Sequence, residues 1–341
     1  MLERLYRGTK APRIHLEWAR ALLFAGKLKE SREIFVEIYK SNPPPAVKAT
    51  ILRFIDQIDR KMGKLNIGVA ATKTSNPLGQ PTEVQLYFLG NPFTLQLDPK
   101  DKNLWGVILN ASYERVFSSG FDVRASTSFR EMPKHPGANQ LFGDISVGKQ
   151  VQGVPLEVRA GVQFEQMTNQ SFRLPYVELG YRKAFNQRLD IQPRVQVGYY
   201  DFLAGSGLSG VNVRLSAPVS YMFDPAKVIS IGPRVEVRAA KFGEQRYVNV
   251  GVYAEAVLNI KRITIDTTVY PYTTQFWRTD PFWGQRRSDK ALYMGTAISS
   301  DRVRVKGLLP TLNPFCALNG SNISFYKVNN CGVNLGVRRI F

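Results

Sequence analysis

CGVNLGVRRIF, residues 331–341 of the chain, alternates between an apolar face and a face of polar or small side chains. Strict alternation of this kind predicts a β-strand with one apolar side. The apolar face ends on Phe341, the last residue. A membrane β-barrel needs a defined end of this type, because its last strand closes the sheet against the first. An ordinary edge strand of a soluble sheet remains the alternative that this stretch alone leaves open.

The same alternation recurs from Lys64 onward. Clear examples are the segments 121–129, 156–164 and 248–254, in which every second side chain is apolar or small. With the final strand, the segments number about fourteen, an even number as in single-chain bacterial barrels. The mean hydropathy is -0.20, and no run reaches the roughly 20 apolar residues of a membrane helix. A membrane-spanning chain of this composition would therefore have to be a barrel.

The links between these segments provide an independent signal. Short turns such as 118–120 and 152–153 alternate with longer links such as 74–103 and 273–290. A transmembrane barrel sorts its connections in this way, with short periplasmic turns and long outer loops, whereas a soluble sandwich does not. The sequence thus predicts a mainly β fold, in which residues 63–341 form a transmembrane antiparallel up-and-down β-barrel with its apolar parity outward.

The polar parity would line a water-filled lumen. Acids and arginines intermix on this face, so the sequence indicates no track of a single sign. The residues that we single out as lumen-facing are Arg124, Arg159, Arg194, Arg234, Glu236, Arg238 and Asp266. Aromatic residues near strand ends are expected to form the interfacial girdle of the barrel. They are Tyr199, Tyr221, Phe223, Tyr270 and Tyr272.

Residues 1–62 predict a small all-α domain. Apolar residues recur at helical spacing from about residue 11, and Gly26 and the Pro-rich run 42–45 mark breaks between helices. The residues near the landmark positions of a tetratricopeptide repeat are Trp18, Ala21, Gly26, Phe35 and Pro43. One repeat cannot bury its own face, so we expect missing partners upstream. A plain helical hairpin that caps the barrel is the alternative.

Charge and cysteine content narrow the function classes. The net charge is +19 without a lone basic tail, which favours anionic lipid, lipopolysaccharide or an acidic client over nucleic acid. The cysteines Cys316 and Cys331 are too few for a zinc site of four cysteines. We expect them to form a disulfide that staples the loop 311–330, which requires an oxidising compartment. Separate thiols are the alternative.

The sequence offers no catalytic constellation. Asp266 and Glu255 have no histidine partner, and no Gly-rich phosphate loop is present, so we expect neither an enzyme nor a cofactor. The beginning of the chain lacks the apolar core of a signal peptide. We therefore expect a barrel chain with this beginning to be a fragment or to carry a misplaced start.

A helical repeat, a Pro-rich break and a barrel of about fourteen strands together resemble the surface lipoprotein assembly modulators, or Slam proteins, of Gram-negative bacteria. Residues 13–60 are the best local match, since 25–47 look like that family's last repeat and linker helix. Residues 55–60 and 335–341 are also similar. The resemblance implies a translocon of the bacterial outer membrane that delivers surface lipoproteins, or related secreted haem- or iron-scavenging proteins, with its helical domain in the periplasm.

The partners that this resemblance implies are a client surface lipoprotein or hemophore-like protein, outer-membrane lipids and lipopolysaccharide. The last strand also resembles the signal read by the barrel-assembly machinery, and the residues of that signal are Val333, Leu335, Val337, Arg339 and Phe341. The candidates for client contacts are Lys27, Lys29, Arg32 and Lys40.

Two other functions remain open. A polysaccharide-export porin with periplasmic repeats would need a continuous aromatic or basic track in its lumen. A passive porin would have little use for the helical domain.

Overall fold

The structure is a computed structural model that describes residues 1–9, 11–81, 83–88, 91–97, 103–167, 170–300, 303 and 307–340. Its helices are α1 (Leu2–Thr9), α2 (Pro12–Phe24), α3 (Leu28–Lys40) and α4 (Pro45–Met62). None of the helices in these ranges combines the length and apolar character needed to cross a bilayer. The turn between α2 and α3 passes through Gly26, whose φ of 75° favours glycine.

Helices α2, α3 and α4 pack around one apolar cluster. Phe35, Ile51 and Ile58 are fully buried there, and the ring of Phe35 stacks on Phe54 with centroids 5.1 Å apart. Burial of each such side chain contributes about 1.5–3 kcal/mol. Ser31 is also fully buried, and its hydroxyl donates to the Ala19 carbonyl at 2.7 Å. This hydrogen bond ties α3 to α2 at a point where a larger side chain would separate the helices.

The strands of the large sheet are β1 (Lys64–Thr74), β4 (Leu104–Val116), β5 (Phe121–Glu131), β6 (Gln140–Gln150), β7 (Leu156–Met167), β8 (Ser171–Tyr181), β9 (Lys183–Ala184), β10 (Leu189–Ile191), β11 (Arg194–Phe202), β12 (Gly210–Ser216), β13 (Val219–Asp224), β14 (Lys227–Ala240), β15 (Tyr247–Ile260), β16 (Ile263–Thr279), β17 (Arg286–Ser300), β18 (Leu309–Ser321) and β19 (Val328–Ile340). A separate hairpin, β2 (Glu83–Phe88) and β3 (Asn91–Gln96), lies in the link between β1 and β4.

The large sheet closes on itself. β1 pairs antiparallel with β4 on one side and with β19 on the other. The pairs β8 and β9, β10 and β11, and β12 and β13 are each one barrel strand with a break, and two of the breaks contain Pro193 and Pro218. Proline has no N–H to donate to a ladder, so the pairing stops there. In the described chain the result is a closed antiparallel barrel of 14 strands, which confirms the predicted fold class.

The exterior of the barrel is apolar. Val69, Leu109 and Val197 expose 44%, 48% and 48% of their surface on the outward parity, whereas Arg159 and Asn212 of the other parity are buried. A continuous apolar belt of this kind is stable in lipid and not in water. The prediction that the apolar parity faces outward is therefore confirmed.

Short and long connections alternate less regularly along the barrel than the sequence predicted. β16 continues to Thr279 and β17 starts at Arg286, so most of the predicted loop 273–290 is strand. Backbone pairing does not require apolar residues at every second position, so strand ends without alternation left no signal in the sequence.

The predicted girdle tyrosines divide between the two faces of the barrel. Tyr199 and Tyr221 lie exposed on the outward parity. Tyr270 faces the lumen, because its hydroxyl donates to Asn249 Oδ1 at 2.9 Å, and Tyr272 stacks on it with centroids 4.8 Å apart. Position near a strand end did not override parity: Val269 faces outward, so its neighbour Tyr270 must face inward.

Candidate functional site

The inner wall carries a compact charged cluster where β5 and β7 begin. This is the end of the barrel at which short turns such as 118–120 and 152–153 join the strands, and we call it the turn end. Arg159 is 4% exposed, and its guanidinium donates to both carboxylate oxygens of Asp122 at 2.7 and 2.9 Å and to Glu157 Oε1 at 2.5 Å. Arg124 shares these acids, with Nε 3.1 Å from Asp122 Oδ2. A buried guanidinium requires paired charges of this kind. The cluster therefore holds Arg159 against the wall and leaves Arg124 half-exposed to the lumen.

A second cluster is centred on Glu236. Its carboxylate accepts hydrogen bonds from Arg214 Nε at 3.1 Å, from Asn212 Nδ2 at 2.9 Å and from the Tyr247 hydroxyl at 3.0 Å. Arg214 also donates to the Tyr200 hydroxyl at 2.6 Å. Neighbouring strands contribute these groups, so the network fixes the inner wall from β11 to β15.

Rings and guanidinium groups form a continuous line beside this cluster, which we call the aromatic–arginine arc. Its members are Phe172, Tyr200, Phe202, Arg238, Tyr247, Phe276, Arg287 and Tyr326. Arg238 lies 4.7 Å from the Tyr200 ring centroid and 4.9 Å from that of Phe202. Arg287 lies 3.6 Å from the ring centroid of Tyr326. Tyr200, Phe202 and Phe276 are buried, so much of the ring surface is already covered.

The other lumen candidates lie apart from these clusters. Arg194 Nη1 is 3.8 Å from Glu178, and the Arg234 guanidinium lies 5.4 Å from the Tyr270 ring centroid. Asp266 lines a cavity of about 430 Å³ together with Asn313 and other polar residues. The structure thus places all the candidates on the inner parity, but it distributes them around the wall instead of gathering them into one site.

Helix α4 lies across the mouth of the barrel at its turn end. Asp56 accepts hydrogen bonds from Arg60 and from Lys64 at the start of β1, and Arg60 Nη1 is 3.8 Å from Glu114 of β4. Arg53, further toward the start of the helix, is 3.5 Å from the sulfur of Met222 in β13. β4 and β13 lie on opposite sides of the strand order. Arg53 and Arg60 are seven positions apart, which is about 10 Å along the helix axis, and their long side chains reach β13 and β4.

The connection between α4 and β1 requires a glycine at position 63. Gly63 has a φ of 102°, and a Cβ there would lie 2.9 Å from the Tyr113 hydroxyl. Burial alone would raise the pKa of Asp56, but the hydrogen bonds and positive charges of Lys64 and Arg60 outweigh it and hold that pKa below its usual value. The carboxylate is therefore ionised at neutral pH and serves as an electrostatic link between helix and barrel.

The candidate client contacts differ in their surroundings. Lys27, Lys29 and Lys40 are exposed, and Lys27 Nζ is 3.4 Å from Glu30. Arg32 instead donates to both oxygens of Asp59 at 2.5 and 3.3 Å, and Asp59 is 5% exposed. Arg32 thus joins α3 to α4 and has a structural role, which leaves the three lysines as the candidate contact surface.

Cys316 and Cys331 form a disulfide, with Cα atoms 4.0 Å apart. They are directly opposite each other in the β18–β19 ladder. The predicted loop 311–330 is wrong in its extent, because β18 continues to Ser321 and β19 starts at Val328. The disulfide consequently joins two paired strands, one of which closes the barrel against β1.

The predicted assembly signal lies on that closing strand. Val333, Leu335, Val337 and Arg339 alternate along β19, and Val337 pairs with Val69 of β1. Phe341 lies outside the described residues. Its role in assembly stays a prediction. In the described ranges no group of three or more histidine, cysteine, aspartate and glutamate residues could hold a metal ion.

Comparison with known proteins assigns no family to this chain. No protein-family model and no curated protein matches the chain. A bacterial polysaccharide outer membrane secretin is similar over 83% of this chain and 99% of its own, at 12% identity and a TM-score of 0.44. The outer membrane channel DcaP of Acinetobacter baumannii is similar over 82% and 97%, at 9% identity and a TM-score of 0.45. These values establish no family, and the barrel assignment rests on the strand pairing.

Proposed function

We propose that this chain is an outer-membrane translocon that delivers a protein client, a surface lipoprotein or a related haem- or iron-scavenging protein, across the membrane. The observation that carries the proposal is helix α4, which lies across the turn-end mouth and is joined to the barrel by Asp56, Arg60 and Glu114. A passive pore gains nothing from a helical domain fixed at its entrance. A client-delivery channel uses such a domain to receive the client beside the lumen.

The charge of the helical domain fits this role. Lys27, Lys29 and Lys40 are exposed, whereas the apolar residues of the repeat-like pair form its core. Exposed cations accelerate the encounter with an acidic partner and select against basic ones. In this proposal the domain lies in the periplasm and its partner is the folded or partly folded client.

The experiment measures client exposure on intact cells, by antibody or protease, with barrel level and heat-modifiability measured in parallel. Deletion of residues 1–62 is expected to leave the barrel inserted and to stop display. A finer variant reverses the charge of Lys27, Lys29 and Lys40 to Glu, and we expect display to fall severalfold. Its matched control reverses Lys134 and Lys241, exposed lysines in loops at the other end of the barrel. Undiminished display in a full knockout would remove the translocon proposal.

The aromatic–arginine arc favours a second candidate, the polysaccharide-export porin. Stacked rings and guanidinium groups suit an acidic sugar chain, and the arc is continuous along the wall from Phe172 to Tyr326. Against this candidate, the arginines already cover several of the rings. The test adds oligouronates to single barrels in a planar bilayer and measures the ion current through them. Block of the current that Arg238→Gln weakens would favour sugar export, whereas no block at all would count against it.

A further inference from the structure

A basic cleft lies where the helical domain meets the barrel, outside the lumen and outside the lysine surface described above. It has a volume of about 620 Å³ and is lined by Asn42, Pro43, Pro44, Pro45, Lys48, Lys261 and Arg262. One wall is the Pro-rich link between α3 and α4. The other wall is the turn between β15 and β16.

The charge of the cleft is of one sign. Lys48, Lys261 and Arg262 contribute cations, and no carboxylate is among the lining residues that the structure describes. Lys48 is buried, with Nζ 4.5 Å from the ring centroid of Tyr39, so its ammonium group is held in place. The N-terminus of α4 also begins at this cleft, and no side chain caps it. Its unpaired N–H groups add a partial positive charge to that of the three side chains. Together these groups fit a phosphate.

The position of the cleft identifies the source of the phosphate. Ile260 and Ile263 pair directly on either side of the Lys261–Arg262 turn. They expose 48% and 41% of their surface on the outward, lipid-facing parity. A phospholipid whose acyl chains lie against these isoleucines has its headgroup at the turn. A free phosphate ion shares the headgroup chemistry but makes no use of the adjacent apolar wall.

We propose that this cleft binds the headgroup of an anionic phospholipid from the leaflet at the turn end of the barrel. The phosphate lies between Lys48 on the helical domain and the Lys261–Arg262 turn on the barrel. The bound lipid thereby joins the two parts of the protein, as Asp56 does on the opposite side of the mouth. Binding of lipid stabilises the docked position of α4, because the lipid binds only when both walls are present.

The test is native mass spectrometry of the full chain in detergent, with defined amounts of phosphatidylglycerol or phosphatidylethanolamine. We expect phosphatidylglycerol to be retained and phosphatidylethanolamine to be lost. In the double variant Lys261→Asn and Arg262→Gln, affinity for phosphatidylglycerol should fall about 30-fold, since each cation near a headgroup contributes about 1 kcal/mol and about 1.4 kcal/mol is tenfold. Asparagine is chosen because Lys261 has a φ of 56°, which asparagine tolerates.

The control variant carries Lys134→Gln and Lys241→Gln in loops of the other rim, and it should retain the lipid. Heat-modifiable migration of each variant reports that the barrel is folded. Equal retention of phosphatidylglycerol by the double variant and the wild type would overturn the proposal. Complete displacement of the lipid by millimolar inorganic phosphate would also overturn it, because the cleft would then be a site for soluble phosphate.

Discussion

Substitution of Leu109 by arginine tests whether the apolar face of the barrel contacts lipid. Leu109 lies mid-strand in β4, exposes 48% of its surface outward and is flanked by Val69 and Phe129 of the neighbouring strands. Loss of lipid contact for half of a leucine side chain costs about 1 kcal/mol. A guanidinium near the bilayer midplane costs about 2–4 kcal/mol. We therefore expect Leu109→Arg to lower the free energy of unfolding by about 3–5 kcal/mol.

The adjacent residue provides the matched control. Asn110 is exposed but lines an inner cavity of about 590 Å³, so Asn110→Arg places the same charge on the same strand in a wet lumen. We expect a change below about 1 kcal/mol, as for a surface substitution. The assay is denaturant unfolding of the protein in vesicles, followed by tryptophan fluorescence, with reversibility verified. Equal losses for the two variants, or a larger loss for Asn110→Arg, would refute the assignment of the two faces.

Three further predictions concern single links in the structure. Because the pKa of Asp56 is lowered, its stabilisation of the docked α4 is fully present above about pH 4 and is lost as the pH falls through that lowered pKa. Spin-label distances between α4 and the barrel should therefore broaden in an acid titration of the wild type, and they should be broad at every pH in Asp56→Asn. Arg32→Ala leaves Asp59 buried without its partner, and the helical domain should lose about 1–3 kcal/mol in thermal unfolding followed by circular dichroism, where an unchanged midpoint would contradict the pairing. Replacement of Cys316 and Cys331 by alanine should cost about 3 kcal/mol of barrel stability by the loop-entropy argument, and a loss equal to that caused by reductant in the wild type is expected.

The fold could be predicted because its signal is local. A barrel wall separates lipid from water, so each strand must alternate, and the alternation is visible one strand at a time. The helices were predicted in the same way, from the helical spacing of their apolar residues and from the break at Gly26. The ends of strands such as β16 were missed because residues beyond the bilayer pair through backbone groups and need no apolar side chains.

The site could not be predicted to the same extent because it is built across strands. The arc from Phe172 to Tyr326 joins residues that are far apart in sequence and become neighbours only through the register of the barrel. Arg32 likewise looked like a surface cation, since nothing in the sequence indicates that it meets Asp59 on another helix. The alternation along β16 indicates correctly that Tyr270 faces the lumen, whereas its position near a strand end suggested the membrane interface.

We propose that a protein client crosses the membrane through this barrel after its helical domain has received it. The most direct measurement reconstitutes the purified chain in proteoliposomes with the helical domain outside, adds a candidate lipoprotein and then adds protease. Delivery predicts that a fraction of the client becomes resistant to protease until detergent is added, and that reversal of Lys27, Lys29 and Lys40 to Glu lowers that fraction. Complete digestion of every candidate client, in vesicles through which the same barrel conducts small ions, would contradict the claim.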